Sequence, residues 1–129
     1  MGRMFLVVLT VLVLLSAPSL AEAASNLSAS AAQRLLKERR NVYLLDVRTP
    51  GEYQQMRLAD AHLIPIDQLT RRLNEIPQDR PVVVYCAVGS RSAQVFNYLT
   101  RRGYREVYNL DGGIYAWAQS GYPILQGRP

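Results

Sequence analysis

The segment Cys86-Ala87-Val88-Gly89-Ser90-Arg91-Ser92 is where residue types and spacing combine into chemistry. It holds the single cysteine of the chain and runs from the end of an apolar stretch into the start of a helical pattern. Gly89 allows φ > 0, so successive N–H groups can curl towards the Cys86 sulfur as an anion-binding nest. The helix N-terminus behind them adds about half a positive charge, and Arg91 adds a full one. Such surroundings lower a thiol pKa from about 8.5 to roughly 3.5–7.5, leaving thiolate at neutral pH. A lone cysteine also serves as a small buried hydrophobe. The position of Cys86 at a strand-to-helix turn favours the nucleophile.

Composition limits what else is available. With 129 residues, 49% of them apolar, the chain supports one domain and not two. At 19% charged residues, with eight Gly and seven Pro, it is neither disordered, collagen-like nor a disulfide scaffold. One cysteine closes no internal disulfide, and His62, the only histidine, leaves no set of soft ligands for zinc. No metal and no cofactor are therefore expected. The excess of 15 Lys+Arg over 10 Asp+Glu gives +5. Its arginines fall as scattered pairs on different elements, with no stripe or stacking platform, so nucleic acid is not an expected partner. The charge suits the attraction of small anions instead.

Residues 1–23 read as a secretory signal peptide. Arg3 gives a positive start, Met4 to Leu15 is an apolar run of 12 broken only by Thr10, and Ala21-Glu22-Ala23 supplies an A-x-A cleavage site. The run is shorter than the roughly 20 residues a membrane-spanning helix needs; an uncleaved anchor is the competing reading. Cleavage leaves residues 24–129 as one periplasmic domain with no stable membrane insertion. In such an oxidising compartment an unpaired Cys86 calls for a reason.

The elements that must position the loop follow from the pattern. From Leu27 a helix opens with Ser28 or Ser30 as cap and Ala32, Leu35 and Leu36 on one face. Val42 to Val47 is a strand interrupted by Asp46, and Thr49-Pro50-Gly51-Glu52 is a capping box opening a short helix to about Arg57. Leu63 and Ile64 make a short strand. Asp67 is expected to open a helix with Leu69, Leu73 and Ile76 on its stripe. Pro81 to Tyr85 is the strongest strand, its successive valines implying burial on both faces. A helix runs from Ser90 to Arg102 with Gly103 at its C-terminal cap. Val107 to Leu110 is a strand, Asp111-Gly112-Gly113 a turn, and Ile114 to Gln119 a last helix. Ala24 to Asn26 and Gly127 to Pro129 are the pieces expected to be loose. Alternating strands and helices imply βαβ crossovers and a parallel sheet, with ligands at the carboxyl ends of its strands.

CAVGSRS after VVVY resembles the CxxGxRS active-site loop of rhodanese-like sulfurtransferases, DVRTPGEY their DVRxxxEY segment, and NLDGGIYAWAQSGYPI their closing NLxGGxxAWxxxGxP signature. The resemblance spans about residues 28 to 124, and with the signal peptide it is greatest to the small periplasmic members. It implies an α/β, three-layer fold whose central, mainly parallel five-stranded sheet is flanked by helices. It also implies a cycle in which Cys86 takes the sulfane sulfur of thiosulfate, or of a polysulfide or persulfide, as a persulfide. Cyanide or a thiol, small or on a protein, then removes it. The amides of Ala87, Val88, Gly89, Ser90 and Arg91 would hold the terminal sulfur, and Arg91 could face the departing sulfite. Asp46, Arg48 and Ser92 are the supporting candidates. The already ionised nucleophile needs no general base.

Other readings remain. A related phosphatase or arsenate reductase uses Cys-x5-Arg, whereas four residues separate Cys86 from Arg91. A carrier or docking module would hold a persulfide or a peptide without turnover. Where many members read GHIPGA, this chain has Met56-Arg57-Leu58-Ala59-Asp60-Ala61, so the substrate-side loop is expected to differ. Ala87 and Val88 are uncharged, leaving Arg91 the loop's only cation and thiosulfate a weaker ligand. Asp46 either caps its turn or orients the loop through Arg48 or Arg91. Arg48 and Glu52, four apart, are expected to pair; Tyr115 and Trp117 to pack; His62 to sit at a strand edge.

Overall fold

The computed structural model describes residues 25–129; the expected signal peptide, residues 1–23, and Ala24 of the piece expected to be loose lie outside the described residues. The strands are β1 (Asn26–Leu27), β2 (Tyr43–Asp46), β3 (His62–Leu63), β4 (Val82–Tyr85) and β5 (Val107–Leu110). The α-helices are α1 (Ala29–Glu38), α2 (Pro50–Gln55), α3 (Ser90–Arg101) and α4 (Gly113–Gln119). All five strands join one sheet in the order β1-β5-β4-β2-β3, and every pairing is parallel.

β4 is central, and each of its residues is fully buried, as a run of valines covered on both faces requires. Side chains alternate across the sheet. Val82, Val84 and Cys86 join Tyr43, Leu45 and Val47 on the face covered by Val95 and Leu99 of α3. Val83, Tyr85 and Leu44 face Ala29 and Ala32 of α1 and Ile114 and Trp117 of α4. Strand parity thus aims Cys86 at the side where α3 begins.

The caps form as the sequence implies. Ser28 Oγ accepts from the N–H of Ala31, Thr49 and Glu52 form the capping box with Pro50 in the first turn, and Gly103 ends α3 at φ +92°. Four expectations change. Leu27 belongs to β1, paired with Leu110, because Ser28 starts the helix and leaves the two preceding residues free to extend the sheet. The expected Asp67 helix is two 3-10 turns, Ile66–Gln68 and Leu73–Glu75. Pro77 disfavours α geometry at Ile76, which is extended, and the Tyr104 hydroxyl donates to the carbonyls of Leu73 (3.2 Å) and Ile76 (2.7 Å). Leu69 and Ile76 still reach the core.

The third and fourth changes concern the tail and α2. Gly127 is anchored: its N–H donates to Gln54 O (2.8 Å) and its carbonyl accepts from Arg57 Nη1 (2.6 Å). Asn26 is likewise fixed in β1, where its Oδ1 accepts from Asn109 Nδ2 at 3.1 Å. α2 stops at Gln55 because Arg57 pairs antiparallel with Leu125. His62 does lie on the edge strand, stacked on Tyr43 with ring centroids 4.3 Å apart.

Candidate active site

Cys86 follows the last residue of β4 and has no solvent exposure. Its Sγ accepts hydrogen bonds from the N–H of Gly89 (3.1 Å), the N–H of Ser92 (3.4 Å) and the hydroxyl of Ser92 (3.3 Å). Gly89, at φ +107°, makes the turn that brings these groups round. α3 starts at the next residue, so its first-turn N–H groups have no intrahelical partners and its dipole is positive towards the sulfur.

Burial pushes the Cys86 thiol up; the hydrogen bonds from the Ser92 hydroxyl and from the amides of Ser92, Gly89 and Val88 outweigh it, and the pKa lies below the ordinary thiol value. The Ser92 hydroxyl also reaches Gly89 O at 3.1 Å. Its one proton serves a single acceptor at a time. Facing a thiolate it turns to sulfur; facing a thiol it turns to the carbonyl and leaves its oxygen to accept the S–H.

The carbonyls on the loop point the other way. Cys86 O accepts from Ile114 N–H (2.9 Å) and Ala87 O from Tyr115 N–H (3.2 Å), so α4 holds the outer side of the loop while the amides face in. This contact requires glycine at 113: a Cβ there would lie 2.3 Å from Ala87 O, and φ is +62°. In the sequence Gly112 and Gly113 read only as a turn; the double glycine before a helix is the signal that points to this role. Trp117 packs as expected, its indole N–H donating to Pro123 O at 2.9 Å. Tyr115 does not pack. It is 52% exposed, because its backbone rather than its ring is used against the loop.

Arg91 is turned to Glu52. Its two terminal nitrogens meet the two carboxylate oxygens at 2.8 Å each. Hydrogen bonding from Arg91 is the largest influence on the Glu52 carboxyl; burial opposes it, the Thr49 amide adds to it, and the pKa falls to about 2. The expected Arg48–Glu52 pair does not form. Arg48 instead closes on Asp46, Nη2 to Oδ2 at 2.7 Å and Nε to Oδ1 at 3.0 Å, both residues being buried. A partner two residues back on the same strand end is reached without crossing the cap.

Asp46 and Arg48 therefore lie in the framework rather than on the sulfur. Arg48 Nη2 also donates to Met56 O (2.7 Å), tying the end of β2 to the end of the helix that carries Glu52. The Tyr85 hydroxyl beside them accepts from Leu58 N–H at 3.2 Å. The segment Met56 to Ala61 turns at Asp60, which takes the left-handed conformation at φ +62°, a conformation that Asp tolerates better than most residues. Of the loop residues, Val88 is 59% exposed and Ala87 half-buried. Among the described residues no cluster of His, Cys, Asp or Glu is arranged to hold a metal ion, and no helix is long and apolar enough to cross a membrane.

Comparison with known proteins agrees with this geometry. The family model described as "Rhodanese-like domain" matches residues 28–120. A protein named sulfurtransferase from Allochromatium vinosum is 47% identical over 98 residues, covering 76% of this chain and 91% of the relative. The thiosulfate sulfurtransferase GlpE of Vibrio cholerae is 30% identical over 99 residues, covering 77% and 92%. A rhodanese-related protein from Thermoplasma volcanium superposes with a TM-score of 0.72 at 30% identity, covering 78% of this chain and 97% of the other. A parallel α/β sheet with its cysteine loop at the end of the central strand, together with these matches, places the chain in the rhodanese-like family.

Proposed function

We propose that this chain is an exported sulfurtransferase that carries sulfane sulfur on Cys86. The observation that supports it most is the set of donors converging on one buried sulfur, Gly89 N–H, Ser92 N–H and Ser92 Oγ. These donors favour the ionised thiol and suit an anionic persulfide equally. The Cys86 thiolate attacks the outer sulfur of the donor, the new S–S bond forms and the donor's own breaks. With thiosulfate the leaving group is sulfite. Cyanide or a thiol then attacks the terminal sulfur and returns Cys86 as thiolate. Thiosulfate as a donor is supported by the Vibrio relative's name; a polysulfide or persulfide fits the uncharged Ala87 and Val88.

Export to the periplasm rests on the layout of residues 1–23. The intact mass of the protein recovered from a periplasmic extract should correspond to a chain starting at Ala24. Recovery at full length in the membrane fraction would contradict it. For the activity, thiocyanate formation from a sulfane donor and cyanide should require Cys86: Cys86→Ser is expected to lower the rate by at least about 10³-fold. A variant that retains turnover would overturn the proposal.

A further inference from the structure

Both arginines next to the cysteine loop are already committed to carboxylates. Arg48 is held by Asp46 beneath it, and Arg91 gives both terminal nitrogens to Glu52. Glu52 is fixed in turn, since its Oε1 accepts from Thr49 N–H (3.3 Å) and Thr49 Oγ–H (3.1 Å). Each pair sums to zero. The formal charge left over is that of the Cys86 thiolate, which the amides stabilise without neutralising. Ala87, Val88, Gly89, Ser90 and Ser92 bring no cation. Among the described residues the two most exposed large apolar side chains are Val88 (59%), on the loop itself, and Tyr115 (52%), whose N–H donates to Ala87 O of the loop.

Resting on the sulfur-transfer reading, we infer that Glu52 determines donor specificity: by holding Arg91 it makes the site select an organic persulfide, R–S–SH, over the thiosulfate dianion. A dianion approaching an anionic sulfur needs an unpaired cation, and Glu52 has taken the one the loop owns. An organic persulfide brings at most one charge at the reacting sulfur and a carbon group that Val88 and Tyr115 can cover. Cys86 attacks the outer sulfur, the Sγ–S bond forms and the donor S–S bond breaks. The departing RS⁻ takes the proton that the outer sulfur carried, leaving Cys86–S–S⁻ and RSH. The sulfur moves at the sulfane level, so neither oxidant nor reductant is consumed.

The test compares kcat/KM for thiosulfate and for the persulfide of 2-mercaptoethanol, whose R group is uncharged, with cyanide as acceptor and the uncatalysed reaction subtracted. Glu52→Gln keeps the capping acceptor and removes the charge. The wild type should favour the persulfide. Glu52→Gln should raise the thiosulfate-to-persulfide ratio on the order of tenfold, through the KM for thiosulfate, and the gain should shrink as salt screens the freed Arg91. Val88→Lys, on an exposed side chain away from the cap, should move the ratio the same way. A ratio unchanged in both variants, or a wild type that favours thiosulfate, would overturn the inference. No sulfur on wild-type Cys86 from either donor would overturn the sulfur-transfer reading itself.

Discussion

A thiol without solvent exposure ordinarily stays protonated, and in Cys86 three donors reverse that preference. Sulfur uptake should therefore follow a pKa below that of an ordinary thiol. Removing the hydroxyl in Ser92→Ala should move that pH profile upward; stopped-flow uptake rates between about pH 5 and 10 read it, and an unmoved profile would assign the effect to the amides alone. Glu52 gives a separate pH signature. Its pKa is depressed from 4.5 to about 2, so the Arg91 pair contributes stability that is complete above 4.5 and lost as pH falls towards 2. Thermal unfolding followed over that window should show the wild type losing more than Glu52→Gln. Cys86, Gly89 and the capping box were legible in the sequence because each is coded within a few residues. The partner of Arg91 was not: it lies 39 positions back, and only the fold brings α2 to the loop.

Among the elements, α2 and α4 hold the loop from opposite sides. α4 takes the loop carbonyls through Ile114 and Tyr115, and it comes so close only because residue 113 has no side chain. Gly113→Ala should cost at least about 2 kcal/mol, from left-handed strain and overpacking together, and should raise the Cys86 pKa as the amides lose their aim. Denaturant unfolding alongside the pH profile checks both, and a neutral substitution would contradict the contact. α2 is anchored through Met56 O by the buried Asp46–Arg48 pair. Asp46→Ala, which strands a buried guanidinium, should cost about 3–5 kcal/mol. Helix stripes and strand runs gave most elements their place from sequence. The 3-10 turns at Ile66–Gln68 and Leu73–Glu75 escaped because apolar spacing alone does not distinguish a helix from two turns pinned by the distant Tyr104 hydroxyl. β1 escaped because a two-residue strand carries no period of its own.

For the whole molecule, the parallel sheet puts one cysteine at the carboxyl end of its most buried strand, and no second cysteine exists in the chain to receive what it carries. A persulfide formed there has to leave for an external acceptor. The measurement that tests this most directly is the intact mass of the protein after brief exposure to a polysulfide or to thiosulfate, before and after cyanide, with Cys86→Ser alongside. A gain of one sulfur atom that cyanide removes, absent from the variant, is the predicted result. A protein that gains no sulfur from either donor, or gains it equally without Cys86, would contradict the account.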